Sequence, residues 1–259
     1  LIPSFELSDV RLIDPAGQEA LHLPRVSAAL SPRSLWNFGF EQVYIEQPQL
    51  DIRRTADGRI FVAGLDLSKD QDADGRALDW FFSQTEFVIR GGTLRWRDER
   101  RDVPALALEQ VDLVVRNTAR SHALRVDATP PAEWGQRFTL MGNFRQPLLA
   151  GNAGQWRKWE GQVFAEFGHV DVSQLRRYTH LGMDVAGGRG ALRAWVDVSR
   201  GQVIGATADV ALSNVQATLT PRLGALSMPV LTGRLGGRLL QGGFEFSTQD
   251  LQFELDDGT

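Results

Sequence analysis

The chain has no cysteine in its 259 residues. That excludes disulfides, thiolate metal sites and thiol nucleophiles, and leaves the compartment undecided. It has only four histidines, His22, His122, His169 and His180. None has a second histidine one helical turn away or a carboxylate in ligand spacing, so they read as surface or packing residues. No apolar run approaches the roughly 20 residues that a membrane span needs. Positive charge is also short: the net charge is −4, and Lys and Arg are scattered rather than clustered. A protein whose main partner is nucleic acid needs a positive field, and none is expected here. The G-x-S-x-G, P-loop and dinucleotide fingerprints are absent, and no residue set supports an enzyme or calls for a cofactor.

What is present is alternation. At 42% hydrophobic and 23% charged, the chain is globular in composition. Period-2 runs occupy 21–30, 42–45, 49–53, 60–62, 87–97, 105–116, 122–128, 137–144, 162–167, 191–198, 203–219, 231–239 and 244–255. Each reads as a half-buried strand. Ala56-Asp57-Gly58-Arg59 is a hairpin signal, and the other gaps are mostly hairpin length, which favours antiparallel neighbours. Helical signals are short. Ser31-Pro32 opens one turn, 77–84 offers two turns, and Asp171 to Gln174 has capping-box spacing before a helix to about Tyr178.

Several strands break their own rule. In Leu106-Ala107-Leu108-Glu109-Gln110-Val111-Asp112-Leu113 the apolar set moves from even to odd positions across Glu109-Gln110. The same form, apolar-x-apolar-x-x-Val-x-apolar, starts at Phe5, Phe38 and Val210, and more loosely at Ala165. The first four starts are spaced by near-multiples of about 34 residues, which suggests a degenerate internal repeat. An extra residue in a strand is a β-bulge, which bends the strand and restores its apolar face after a one-residue slip. A strand ending at the corner between two packed sheets shows the same pattern. Periodicity alone leaves both open: a curved sheet, or a sandwich corner.

Polar clusters offer little chemistry. Asp70, Asp72 and Asp74 before Gly75 resemble the front of a calcium loop. The twelfth position, where a bidentate Glu is required, is Phe81, so a solvated acidic loop is the better reading. The stretch 97–102 reads as a polar hairpin tip. Adjacent carboxylates such as Asp256 and Asp257 point to opposite faces of a strand, which is wrong for shared acid–base work. The seven tryptophans, Trp36, Trp80, Trp96, Trp134, Trp156, Trp159 and Trp195, suit a core better than a sugar-stacking face.

Taken in order, Asp79-Trp80-Phe81-Phe82, then 87–98, then Leu106 to Asn117, then Ala128-Thr129-Pro130-Pro131, resemble the YhdP family of AsmA-like proteins. The blocks 50–60 and 188–195 are similar to that family's repeated element. The resemblance spans nearly the whole chain, and it is the order of loose motifs that makes it specific. It implies a mainly β fold: a long, strongly curved and twisted antiparallel sheet forming a groove, with a few short helices. The expected layout is one β-groove segment over 1–259, with a first repeat-like block at 1–68, an acidic loop and short helix at 69–86, and the continuing sheet from 87 to 259. It implies transfer of phospholipid between the inner and outer membranes of Gram-negative bacteria, in support of the outer-membrane permeability barrier. It also implies a periplasmic segment, an inner-membrane anchor outside these residues, and contact with phospholipid acyl chains and other envelope proteins. The opening Leu-Ile-Pro, with no initiator Met, fits that expectation of a segment. No catalytic residues carry over.

The groove-facing candidates are Leu106, Leu108, Val111, Leu113, Val115, Leu124, Val126, Phe138 and Leu140. Alternatively these form a closed core, in a structural, adhesion or carbohydrate-binding β-sandwich module.

Overall fold

The computed structural model describes residues 3–13, 19–30, 39–66, 73–101, 103–148, 154–174, 184–218, 226–240 and 242–254. Fifteen strands carry the fold. They are β1 (Ser4–Ile13), β2 (Glu19–Ala29), β3 (Gln42–Glu46), β4 (Gln49–Arg54), β5 (Ile60–Val62), β6 (Leu65–Asp66), β7 (Glu86–Asp98), β8 (Leu106–Asn117) and β9 (Ser121–Thr129), followed by β10 (Phe138–Arg145), β11 (Glu160–Asp171), β12 (Asp184–Ser199), β13 (Gln202–Thr218), β14 (Leu226–Leu240) and β15 (Gly243–Phe253). Among the described residues one helix, α1, spans Ala73–Ser83, and Trp156–Lys158 forms a single 3-10 turn. The mainly β expectation holds. Helix α1 starts four residues before the expected two turns at 77–84, and the expected helix after Asp171 is described only as far as residue 174. The expected turn at Ser31-Pro32 lies outside the described residues.

The chain forms two compact units. The first comprises 1–129, 141–161 and 199–201, and the second 130–140, 162–198 and 202–259. In the first, the strands lie in the order β9-β8-β7-β3-β2-β4-β5-β6, with β1 on β2 and β4 also on β7. In the second, β11 to β15 follow one another in sequence order.

The short gaps led to the expectation of an antiparallel ladder, but it is not wholly so. Both β3 and β4 pair parallel to β7, from Gln42↔Glu86 to Glu46↔Arg90 and from Gln49↔Thr93 to Arg54↔Asp98. A parallel pair needs a long crossover. Here β5, β6 and α1 supply it, so the chain returns to β7 in the same direction as β4. The hairpin at Asp57-Gly58 joins β4 to β5 as expected, with Gly58 at φ +89° and its N–H donated to the Thr55 carbonyl at 2.8 Å.

Each unit has its own core. In the first, Val43, Ile45, Phe87, Ile89 and Val115 are buried together, with Leu23, Val26, Leu50, Leu113, Leu124 and Phe81 packed against them. In the second, Val170, Val172, Val210, Leu212, Val215, Ala217 and Met228 are buried, with Phe167, Leu192, Leu231 and Leu235 against them. Each such side chain removed from water contributes on the order of 1.5–3 kcal/mol.

Candidate functional site

The parity breaks are backbone features inside strands, not strand ends. Asp9, Gln110 and Asn214, each the second residue of a break, lie within β1, β8 and β13 at φ +55°, +47° and +51°. That is the left-handed region, uncommon outside glycine but least costly for Asn and Asp. Left-handed residues within strands, rather than corners between sheets, therefore mark these three. The break expected in the motif from Phe38, at Glu41-Gln42, falls instead at the entry to β3. The left-handed residue of this region is Gln47, at φ +50°, between β3 and β4. The loose match from Ala165 places no left-handed residue at His169. A further break, Gln249-Asp250 in β15, departs from the motif because Thr248 stands where it calls for an apolar residue. Asp250 has φ +50°.

The breaks keep the apolar residues on one side. Leu23 precedes the break at Pro24-Arg25 and Val26 follows it, yet both pack on the first core. Ile45 and Leu50 flank Glu46-Gln47 and do the same. In the second unit, Val210 and Leu212 precede Ser213-Asn214, Val215 and Ala217 follow, and all four are buried in one cluster. Without the inserted residue, every apolar side chain past it would face the polar side.

Of the candidates read from the sequence, seven fall in the first unit on β8 and β9. Val111 and Val115 are buried at 5% exposure each, and Leu106, Leu108, Leu113, Leu124 and Val126 are half-buried. The register sets Leu106 opposite Trp96, Leu108 opposite Leu94, Val111 opposite Gly92, Leu113 opposite Ile89 and Val115 opposite Phe87. On the other side of β8, Leu113 faces Val126 and Val115 faces Leu124. Phe138 and Leu140 belong to the second unit, where the Phe138 ring lies 5.1 Å from that of Phe167.

Helix α1 covers part of the first apolar face. The Phe81 ring sits 4.6 Å from Phe87, and Phe82 sits 4.8 Å from Trp159. Gln84, fully buried just past the helix, fixes this end. Its Oε1 accepts from the Phe40 N–H at 2.6 Å, and its carbonyl accepts from Asn117 Nδ2 at 2.8 Å. Asp79 accepts the Gly154 N–H at 2.7 Å.

The opposite face is polar and ion-paired across strands. Arg25 reaches Glu6 and Glu46, Arg116 reaches Glu86, and Arg90 reaches Asp112. In the second unit Arg193 reaches Glu166, and Arg234 forks onto Asp209 at 2.5 and 2.9 Å. Hydrogen bonds from Arg116 hold the Glu86 carboxyl below the usual carboxylate range. Those from Arg234 do the same for Asp209, and those from His22 and then Arg11 for Asp9. Burial pushes Asp171 up, but hydrogen bonds from Ser173 and Arg189 outweigh it and hold the carboxyl low. Exposed pairs of this kind contribute little stability each. Their effect is to keep this side wetted and to set strand register.

The remaining candidates are dispersed. His22 pairs with Asp9 at 2.9 Å, and His122 is buried among aromatic rings. Among the described residues no group of His, Asp and Glu is arranged to hold a metal ion. Asp70 and Asp72 of the calcium-like loop lie outside those residues, and Asp74 falls in the first turn of α1. At the polar tip 97–102, Asp98 is buried between Arg54 at 3.5 Å and Arg101 at 3.7 Å. Trp134 and Trp159 are core, Trp96, Trp156 and Trp195 are half-buried, and Trp80 is 44% exposed. The tryptophans do not assemble an exposed stacking face among the described residues. No described helix is long and apolar enough to cross a membrane.

A family model, described as YhdP protein, matches residues 1–259. The chain belongs to the YhdP family. No curated protein and no solved structure matches it. The YhdP match agrees with the resemblance carried by the ordered motifs around α1, β7 and β8.

Proposed function

We propose that this YhdP-family chain is a phospholipid-carrying segment whose apolar sheet faces shelter acyl chains during transfer between the inner and outer membranes. The observation that carries the reading is the apolar face kept on one side through successive breaks, with an ion-paired face opposite. A 16-carbon chain in bulk water is disfavoured by on the order of 12 kcal/mol at ~0.8 kcal/mol per methylene. A face of Leu, Val, Ile and Phe removes much of that penalty. Many similar positions in a row leave no single deep well, so a chain slides rather than stops, and the head group stays in solvent. Leu106, Leu108, Val111, Leu113, Val115, Leu124 and Val126 serve this role in the first unit, and Phe138 and Leu140 in the second. The carrier acts in the periplasm, held to the inner membrane by a segment outside these residues, and supports the outer-membrane permeability barrier. It performs no chemistry on its cargo.

Native mass spectrometry of the purified chain tests this. Bound phospholipid, removable by detergent, is the expected result. A lipid-free chain after expression in a Gram-negative host contradicts the reading.

A further inference from the structure

The transfer reading does not use His122, and His122 is the most enclosed ionisable ring of the first unit. It is 2% exposed, on β9. Its ring stacks on Trp159 with centroids 3.9 Å apart and planes 5° from parallel, and Phe82 of α1 meets it edge-on at 5.7 Å. Trp159 in turn touches Phe82 and Phe144. Helix α1 therefore docks on an aromatic stack with an imidazole in its middle.

We propose that His122 is a protonation-controlled latch for α1: neutral, it completes the stack that holds Phe82; protonated, it releases the helix and uncovers the apolar face beneath Phe81.

Among the described residues, nothing provides a counter-charge for an imidazolium. Nδ1 lies 2.8 Å from Asn117 Oδ1, and the other nearby polar side chain is Gln146, also neutral. Charged groups on the surrounding elements are engaged elsewhere. Asp79 of α1 holds the Gly154 N–H, Arg116 of β8 holds Glu86, and Arg120 lies on the Gln146 carbonyl. Beside Trp159, Arg157 covers Trp156, Lys158 bonds Gln155, and Glu160 accepts from Ser199. Arg145 of β10 is exposed. Among the described residues, an added proton thus meets two neutral amides and a cation, Arg120, and no carboxylate. Burial holds the imidazole below its usual range. The sign follows: with the docked value below the free one of about 6.5, docking is full above that pH and weakens as pH falls through it. This holds whether or not acyl chains use the uncovered face.

Hydrogen exchange of the Ala73–Ser83 amides, corrected for intrinsic rates, tests the latch. Between the free and docked values the opening equilibrium rises by up to about tenfold per unit of pH, so protection in α1 falls, by at most about tenfold, from pH ~7.5 to pH ~5.5. In His122→Gln that dependence is lost, while His22→Gln keeps it. Unchanged α1 protection in the wild-type chain, or an equal fall in His122→Gln, overturns the proposal. If His122→Gln does not fold, nuclear magnetic resonance of the wild-type chain decides. A Phe82 amide that follows the His122 imidazole at one depressed midpoint supports the latch. An imidazole titrating at its ordinary value with the helix unmoved overturns it.

Discussion

The breaks are accommodated in two different ways, and the residue opposite decides which. Between β1 and β2, Ser8 pairs with Arg25 and Val10 with Leu23, so the register passes Asp9 unchanged. The residue facing Asp9 is Pro24. Between β13 and β14 the same holds: Ser213 pairs with Val230, Val215 with Met228, and Asn214 faces Pro229. The register stays in step at this rung, and a proline with no N–H to satisfy fills the unpaired position. Elsewhere the register slips. Gln110 and Val111 together oppose Ala128, since Glu109 pairs with Thr129 and Asp112 with Asp127. Asp250 and Leu251 oppose Gly233, between Thr232↔Gln252 and Arg234↔Gln249. These are true bulges, two residues against one, and the lone partner is small. A proline partner preserves the ladder, and a small partner absorbs an extra residue.

The largest effect is expected at the small partner. A Cβ at Gly233 would stand 2.7 Å from the Asp250 carbonyl oxygen, and the residue has φ +136°. Gly233→Val is expected to remove about 3 kcal/mol or more of stability, because strain and overlap combine. Urea unfolding measures it, and a loss below about 1 kcal/mol would mean that the bulge relaxes freely. The left-handed residue itself comes next. Gln110→Val should destabilise by about 1–3 kcal/mol, whereas Gln110→Gly should be neutral or slightly stabilising. The opposite order would show that the side chain, and not the backbone, matters at this rung. Smaller still is the proline partner: Pro229→Ala should change stability by less than about 1 kcal/mol and leave the register of β13 on β14 intact. A slipped register would show that proline defines this class of break. Smallest is the polar face. Glu86 has a lowered folded value, so its contribution is present above its ordinary range near 4.5 and is lost as pH falls through the lower folded one. Acid titration of Glu86→Gln should therefore show a slightly shallower stability loss below about pH 4.5 than the wild-type chain.

Much of this was legible in the chain. Alternation placed nearly every strand, since a period of two has few other readings. The parity flip at Glu109-Gln110 and at Ser213-Asn214 located left-handed residues, because a slip without a bulge would turn an apolar set to water. Other features were hidden for physical reasons. Gln47 breaks the line between β3 and β4 before Pro48, a left-handed residue that the motif starting at Phe38 does not reach. Thr248 masked the break in β15. The parallel pairings of β3 and β4 with β7 depend on the path through β5, β6 and α1, which no local period reports. The placing of Phe81 and Phe82 on the sheet, and the burial of His122, are tertiary contacts between residues far apart in sequence. The sequence marked the apolar face, but not which part of it the helix covers.

In the proposed function, acyl chains use one face on both sides of a break. A photoreactive residue placed in turn at Leu108, Leu113 and Arg116 in the protein in cells tests this directly. Leu108 and Leu113 flank Glu109-Gln110 on the apolar side, and Arg116 lies on the ion-paired side with Glu86. Phospholipid adducts at Leu108 and Leu113 with none at Arg116 are the predicted result. Adducts only to protein at all three, or lipid at Arg116 as readily as at Leu113, would contradict it.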